Sequence, residues 1–387
     1  MSPGDIPDGA VAVVGGGIAG CAACLSLGRR GIPVTLIAPP PPAEKPGETL
    51  AAAALPLLAD LEAGHLLTAP SHRPATASFT SWGTSALIEQ HAAARPEGLG
   101  LILDRGRFEA DLFDLVKRRG IQRIEAALAD FRRTGAGWTL TTDAGDVIPA
   151  RFLIDATGRR ALIGRRTGRV RRIDRLVAAC TVLTQHDTGI DPTPATLIEA
   201  VDDGWWYAAL LADRRLVVQF YSDPDLIPRG LSGNLDLWRR MAGQTAYISQ
   251  WIDSAGYALT EPPRLAPAGT SWLEESAGPD WLAVGDAAAA FDPLSAHGMT
   301  TALWTGLHGA NAVTAALGGD LSELETYAAR LRTGVERFSR GRVDVYAREA
   351  RFHDRPFWRR RRSSGLSRHH LAASPDEVGP QHERTVL

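Results

Sequence analysis

Three segments far apart in the chain carry the residue types needed to hold one long, anionic cofactor. They are Gly15-Gly16-Gly17-Ile18-Ala19-Gly20, Asp155-Ala156-Thr157-Gly158, and Gly285-Asp286-Ala287-Ala288 continuing into Asp292-Pro293-Leu294-Ser295-Ala296-His297-Gly298-Met299. In the first, Gly15 permits a tight turn, Gly17 lets a pyrophosphate approach the backbone, and Gly20 lets the next helix sit close to its strand. Ile18 and Ala19 open that helix at its positive end, where an anion binds. A glycine cradle alone does not separate a nicotinamide enzyme from a flavin enzyme. The later acidic turn does. Flavin ribityl hydroxyls want a carboxylate, which Asp286 supplies, and the ring N1 and C2 carbonyl want N–H donors, which a helix starting at Gly298 and Met299 presents. Glu48 and His297 are the candidates for proton handling at the flavin edge, the histidine because imidazole titrates near neutrality. Trp205, Trp206 and Tyr207 are placed either to line a substrate cavity or to fill sheet core.

The elements that must position these residues follow in order. Val11 to Val14 is a short β-branched run expected of a strand buried on both faces, and Pro33 to Ile37 is a second after the cradle helix. The acid that normally ends this second strand and bonds the adenosine ribose is replaced by Ala38, followed by four prolines, and Glu44 is the nearest carboxylate. Ala51 to Ala63 reads as a helix with Thr49 as its cap, and His72 to Gly83 as a strand suited to a substrate wall. Leu101 to Arg105 leads into a helix, Arg107 to Gly120; a small meander covers Arg123 to Phe131, Trp138 to Thr142 and Val147 to Arg151. Phe152 to Gly158 repeats the pattern of buried strand and acidic turn. From Val177 to Tyr221 the pattern is antiparallel: Val177 to Leu183, Thr196 to Val201, Trp205 to Leu211 and Leu216 to Tyr221. Trp281 to Val284 is one more buried strand, followed by a helix from about Met299 to Leu317 and helical spacing to Glu349.

The expected organisation is an α/β, Rossmann-like FAD-binding domain with an inserted antiparallel substrate sheet and a C-terminal helical region. Its pieces are 1–85 and 86–175 (FAD-binding), 176–270 (substrate sheet), 271–320 (FAD-binding, last part), 321–362 (helical) and a disordered tail, 363–387.

Composition sets limits. With 387 residues, 44% hydrophobic, 22% charged and a formal net charge of -2, the chain is an ordinary globular protein with no general attraction to nucleic acid or membrane. The amino terminus has neither a basic start nor an apolar core, which implies a cytoplasmic protein. Cys21 and Cys24 form a CxxC inside the cradle helix, where small residues pack on the sheet, and no second pair completes a metal site. The only lysines are Lys45 and Lys117. Arg359 to Arg362 form a basic run suited to a solvated boundary or to docking an acidic partner face.

These motifs together resemble the FAD-dependent monooxygenases of the para-hydroxybenzoate hydroxylase type, and within them the tryptophan-halogenase-like branch. The resemblance implies that Gly15, Gly17 and Gly20 hold the pyrophosphate with help from Arg105. It implies that Asp286 meets the ribityl chain, that Gly158 and Gly285 also bind the cofactor, and that Pro293, Gly298 and Met299 border the ring. Gly47-Glu48-Thr49-Leu50, Ser81-Trp82-Gly83, Leu103-Asp104-Arg105 with Phe108, Asp203-Gly204-Trp205-Trp206-Tyr207 and Phe357-Trp358-Arg359-Arg360 are similar to flavoproteins that mature protein-derived tryptophan quinone cofactors. That similarity adds Trp82 to the substrate wall. Halogenases of the tryptophan type carry a lysine downstream of their GE motif that receives hypohalous acid; here no lysine lies between Lys45 and Lys117, and neither fits that place.

The chemistry implied is oxygen insertion through a flavin C4a-hydroperoxide, using O2 and electrons from NADH, NADPH or a separate flavin reductase. The acceptor is an electron-rich aromatic small molecule or a partner polypeptide, such as one carrying a tryptophan that becomes a quinone. A small-molecule hydroxylase or halogenase, and a flavin-bearing escort protein with little turnover, are the alternatives. Because Ala38 brings no acid to the ribose, the nucleotide should be held weakly. Extensive dialysis of purified protein should strip it, as read by flavin absorbance, and stoichiometric retention would contradict this.

Overall fold

The computed structural model describes residues 10–42, 45, 48–135 and 137–362. The expected tail at 363–387 and Glu44 lie outside the described residues. Val11–Val14 is fully buried and is flanked in parallel by Val34–Ile37 and Phe152–Asp155. The sheet extends through Gln122–Ile124 on one side and Trp281–Ala283, then the antiparallel Ala277–Gly278, on the other. Gln122–Ile124 thus leaves the expected meander, whose three strands are Leu128–Thr134, Gly137–Thr142 and Val147–Ala150. Two helices cover one face of the parallel sheet, Ile18–Arg29 and Gly298–Leu317. They pack closely because Gly306 has no side chain: a Cβ there would lie 2.5 Å from the Ala19 carbonyl oxygen and 2.7 Å from the Ala22 Cβ. Cys21 and Cys24 are free thiols wholly buried in this contact, each with its pKa pushed up by burial.

The second sheet has seven strands in the order Arg264–Pro267, Val177–Leu183, Leu216–Ser222, Gly204–Leu210, Ala195–Val201, Ala77–Ser81, Ile88–His91. All neighbours are antiparallel except Ala195–Val201 and Ala77–Ser81. Two strands from residues 77–91 therefore join the substrate side, although the sequence pattern groups them with the cofactor domain. One face packs against Leu235–Gly243 and Ile248–Ser254 through Trp206, Trp238 and Ile248. Glu199, 4% exposed, accepts the amides of Ala246, Tyr247 and Ile248 and so ties the second of these helices to the sheet.

The region around Thr49 differs from its expected helix cap. Glu48–Leu50 is a strand paired with Leu101–Leu103, the helix starts only at Leu55, and Pro56 occupies its first turn. The Thr49 hydroxyl meets the Tyr207 hydroxyl instead.

The long helix Ser322–Arg348 and the short Pro356–Arg362 close the molecule. The arginine run is not an open docking patch. Arg361, 1% exposed, makes two hydrogen bonds to Asp223 at 2.6 and 3.1 Å and lies over the Phe357 ring, while Arg360 bonds both Asp223 and Asp225. Burial pushes the Asp223 carboxyl up, but Arg361 and then Arg360 outweigh it and hold it below its ordinary value. Its stabilising effect is therefore complete above the unfolded pKa of about 3.9 and lost as pH falls through the lower folded value. Asp223→Ala leaves a buried guanidinium without its partner and should cost about 3 kcal/mol at pH 7. Urea unfolding should show that deficit shrinking below about pH 4.

Candidate functional site

The cradle turn requires glycine at two places. Gly15 has φ +113° and a Cβ there would overlap the Ala156 carbonyl, while one at Gly20 would overlap the Gly15 carbonyl. These two make the turn and the helix–strand contact. Gly17 differs, because a Cβ there meets nothing within 4 Å. Its open side faces a cavity of about 630 Å³, within the usual range for small-molecule sites. Ile18 and Ala19 line it at the helix start, and so do Gly158, Gly285, Asp286, Pro293, His297, Gly298 and Met299. The three distant segments thus meet around one space.

Charges at the cradle end are arranged in a chain. The Arg105 Nη1 donates to Glu48 Oε1 at 2.7 Å and its Nε to Glu109 Oε1 at 2.8 Å; Lys45 also pairs with Glu109. Glu109 is 2% exposed; burial raises its pKa, but Arg105 and then Lys45 bring it below the ordinary value. Glu48 raises the Arg105 pKa more than burial lowers it. Lys45 and Glu109 were not among the expected site residues; the Arg105–Glu109 spacing of one helical turn was the available signal. Asp286 meets Arg159 Nε at 3.4 Å, and Arg159 also donates to the Gly269 and Phe291 carbonyls. His297 caps Gly298–Leu317 by position only, and its ring makes no hydrogen bond with described residues. Loss of hydration and then Arg337 lower its pKa, so the imidazole is neutral at pH 7.

Opposite the cradle, one face of the seven-stranded sheet presents Cys180, Ile198, Trp205, Tyr207, Gln219 and Tyr221 to the cavity. Trp205 stacks on Tyr221 at 4.0 Å between ring centroids. The Tyr207 and Thr49 hydroxyls are 3.1 Å apart; burial raises the phenol pKa, the Thr49 bond opposes it and Glu48 adds to it, so Tyr207 stays protonated. Burial, followed by the Glu48 charge, pushes the Cys180 thiol up to about 12. Trp206 is a correction to the expected wall: strand alternation turns it to the other face, where it stacks on Trp238 at 4.7 Å. Trp82 is another. It lies behind Trp205, donates to the Val345 carbonyl and packs edge-on against Trp205 and Trp358, so it supports the wall without lining it.

Asp292 joins the two ends. Only 1% exposed, it starts the loop to His297, accepts the Leu294 amide, and receives bonds from Tyr346 Oη at 2.9 Å and Arg342 Nε at 3.1 Å. The Trp205 indole N–H in turn donates to Tyr346 Oη at 3.1 Å.

The tryptophan halogenase family model matches residues 72–374. The chain belongs to this family. A model of glucose inhibited division protein A also matches residues 10–69, the cradle region. LodB of Marinomonas mediterranea, named as an FAD-dependent oxidoreductase, is 26% identical over 298 residues, which is 74% of this chain and 78% of LodB. The structure of QhpG, a peptidyl tryptophan dihydroxylase essential for tryptophylquinone cofactor biogenesis, is similar with a TM-score of 0.77 and 26% identity, over 92% of this chain and 79% of QhpG. The flavin-dependent halogenase CmlS shares the fold, with a TM-score of 0.81 and 21% identity over 93% and 68%. The protein is an FAD-dependent oxidoreductase of the halogenase and QhpG family. No helix among the described residues is long and apolar enough to cross a membrane.

The residues fit FAD. Gly17 leaves room for a pyrophosphate against the helix amides, Arg105 sits nearby with its charge fixed, and Asp286 shares the cavity with both. Gly17→Leu places its side chain in open space, so the protein should fold with unchanged thermal unfolding. Its affinity for FAD should fall about 100-fold, or ~2.7 kcal/mol, measured by flavin fluorescence titration.

Proposed function

We propose that this flavoprotein is a monooxygenase that hydroxylates an electron-rich aromatic group, and that its acceptor is a tryptophan within a partner polypeptide. The observation that carries the proposal is the aromatic sheet face of Trp205, Tyr207 and Tyr221 set across one cavity from the cradle. When bound and reduced, FAD would supply the activation of O2 needed to insert one oxygen atom, the other leaving as water. The chain's part is orientation, dryness and proton control. Trp205 and Tyr221, stacked on each other and almost wholly buried, form the rigid apolar backing of the wall that an indole or phenol would meet. Tyr207, kept protonated, and Gln219 are polar groups placed to orient it. Glu48 stands between Arg105 and this wall, where its charge is felt by Tyr207, Tyr221 and Cys180. We assign it the proton-handling role, with His297, neutral at the rim, as the second candidate.

The identity of the acceptor is supported by likeness to QhpG, whose described substrate is a peptidyl tryptophan. Halogenation is the competing reaction. The sole lysine on the cavity wall, Lys45, is paired to Glu109 beside Arg105 and so is not free on the aromatic face. Reduced, FAD-loaded protein should be given tryptophan-bearing polypeptide and free aromatics in chloride and bromide, under isotopically heavy O2. Mass spectrometry should find heavy oxygen on the polypeptide indole; a halogen adduct, or reductant oxidised without any product, would overturn the proposal. Glu48→Gln should retain bound flavin by absorbance and lower product formation about 100-fold or more.

A further inference from the structure

The bonds around Tyr346, a fully buried residue of Ser322–Arg348, have their directions fixed by chemistry. An indole N–H can only donate and an ionised carboxylate can only accept. The Tyr346 hydroxyl therefore accepts from Trp205 Nε1 at 3.1 Å and gives its own proton to Asp292 Oδ2 at 2.9 Å. Burial, and next the Asp292 charge, raise the phenol pKa well above its ordinary value, so that proton stays in place. Asp292 uses its other carboxylate oxygen to hold the Leu294 amide at 3.0 Å, and its carbonyl to hold the Ser295 hydroxyl. The loop it anchors passes through Ala296 at φ +52°, a left-handed conformation that a residue with a Cβ keeps only when its surroundings impose it. Leu294 also shares a buried apolar cluster with Trp205 and Tyr221. Apolar packing is non-directional and lets the loop slide over the wall, whereas a hydrogen bond weakens steeply as its angle closes. The register between the aromatic wall and the loop at 292–299 is therefore set by one hydroxyl.

We propose that Tyr346 is a positioning residue for oxygen insertion: it holds the acceptor's wall in place relative to this loop, and so determines whether oxygen enters the acceptor ring or is lost. The inference rests on the monooxygenase proposal and on the loop bordering the flavin ring. In a productive turnover one atom of O2 enters a ring C–H bond. The other takes the electron pair of reduced FAD and two protons and leaves as water. With the acceptor out of place, the same two electrons and two protons leave with both oxygen atoms as hydrogen peroxide. A misplacement on the order of 1 Å costs such a step about 100-fold, so a small slip of the wall is enough to turn one outcome into the other.

Tyr346→Phe keeps the ring that packs against Trp82, Phe357 and Trp358 and removes only its oxygen. Tyr257→Phe is the control, because that hydroxyl is bonded to the Arg214 carbonyl and its ring lies in the cluster on the other face of the sheet. Each protein is loaded with FAD, reduced by stoichiometric dithionite and mixed with O2 and tryptophan-bearing polypeptide. Hydroxylated polypeptide and hydrogen peroxide are then measured per flavin. Tyr346→Phe should form about tenfold less product or worse, with peroxide accounting for the missing electrons, while its FAD affinity stays that of the wild type. Tyr257→Phe should lower thermal stability without changing the partition. Hydrogen exchange of the amides from Leu294 to Met299 needs no acceptor, and it should quicken in Tyr346→Phe but not in Tyr257→Phe. A tyrosine that served stability alone would lose product in step with FAD loading and release no extra peroxide. Undiminished product, unchanged exchange, or peroxide rising equally in both variants overturns the positioning role. Wild-type protein that yields only peroxide counts against the monooxygenase proposal, and the exchange comparison then judges the hold of Tyr346 on the loop separately.

Discussion

The site depends on how closely the helices Ile18–Arg29 and Gly298–Leu317 approach. One belongs to the start of the chain and the other to its last third, and their contact is closed by Gly306 against Ala19 and Ala22. Glycine within a helix costs about 1 kcal/mol relative to alanine, and here it allows two backbones to meet. The same contact explains the CxxC: Cys21 and Cys24 are small buried hydrophobes with neutral thiols. Gly285 belongs to this packing too, since a Cβ there would come within 2.7 Å of the Ala19 Cβ. Asp286 and the loop ending at Gly298 are carried to the cradle as a result.

A second, polar constraint holds the opposite wall. Arg342 and Tyr346, one helical turn apart on Ser322–Arg348, both grip Asp292, and Tyr346 also accepts the Trp205 N–H. The loop beside the flavin position and the aromatic sheet face are therefore joined through a shared hydroxyl. Low local dielectric strengthens each bond of such a network and makes an unpaired member costly. Trp82 and Trp358 pack behind it and keep water out.

Sequence pattern revealed most of the framework because its signals are local. The cradle, the four strands from Val177 to Ser222 and the helix after Asp104 follow from periodicity, glycine and capping residues. What it missed is set by tertiary partners. Thr49 has the look of a cap, yet pairing of Glu48–Leu50 with Leu101–Leu103 makes it a strand residue. Gln122–Ile124 looks continuous with the meander but is captured by the edge of the parallel sheet. Trp206 was separable from Trp205 and Tyr207 by strand alternation alone. Lys45 meets Glu109, and Arg342 and Tyr346 meet Asp292, from segments that share no motif with their partners, and the arginines at 360 and 361 look solvent-directed until Asp223 is seen beneath them.

The grip of Arg342 and Tyr346 on Asp292 also bears on how the protein is made. These two residues are among the last of the described chain to leave the ribosome, whereas the cradle emerges among the first. During synthesis the first strand and cradle helix must therefore wait, with their packing partners at Ala156, Gly285 and Gly306 still to come, and such a span exposes apolar surface to early collapse or chaperone capture.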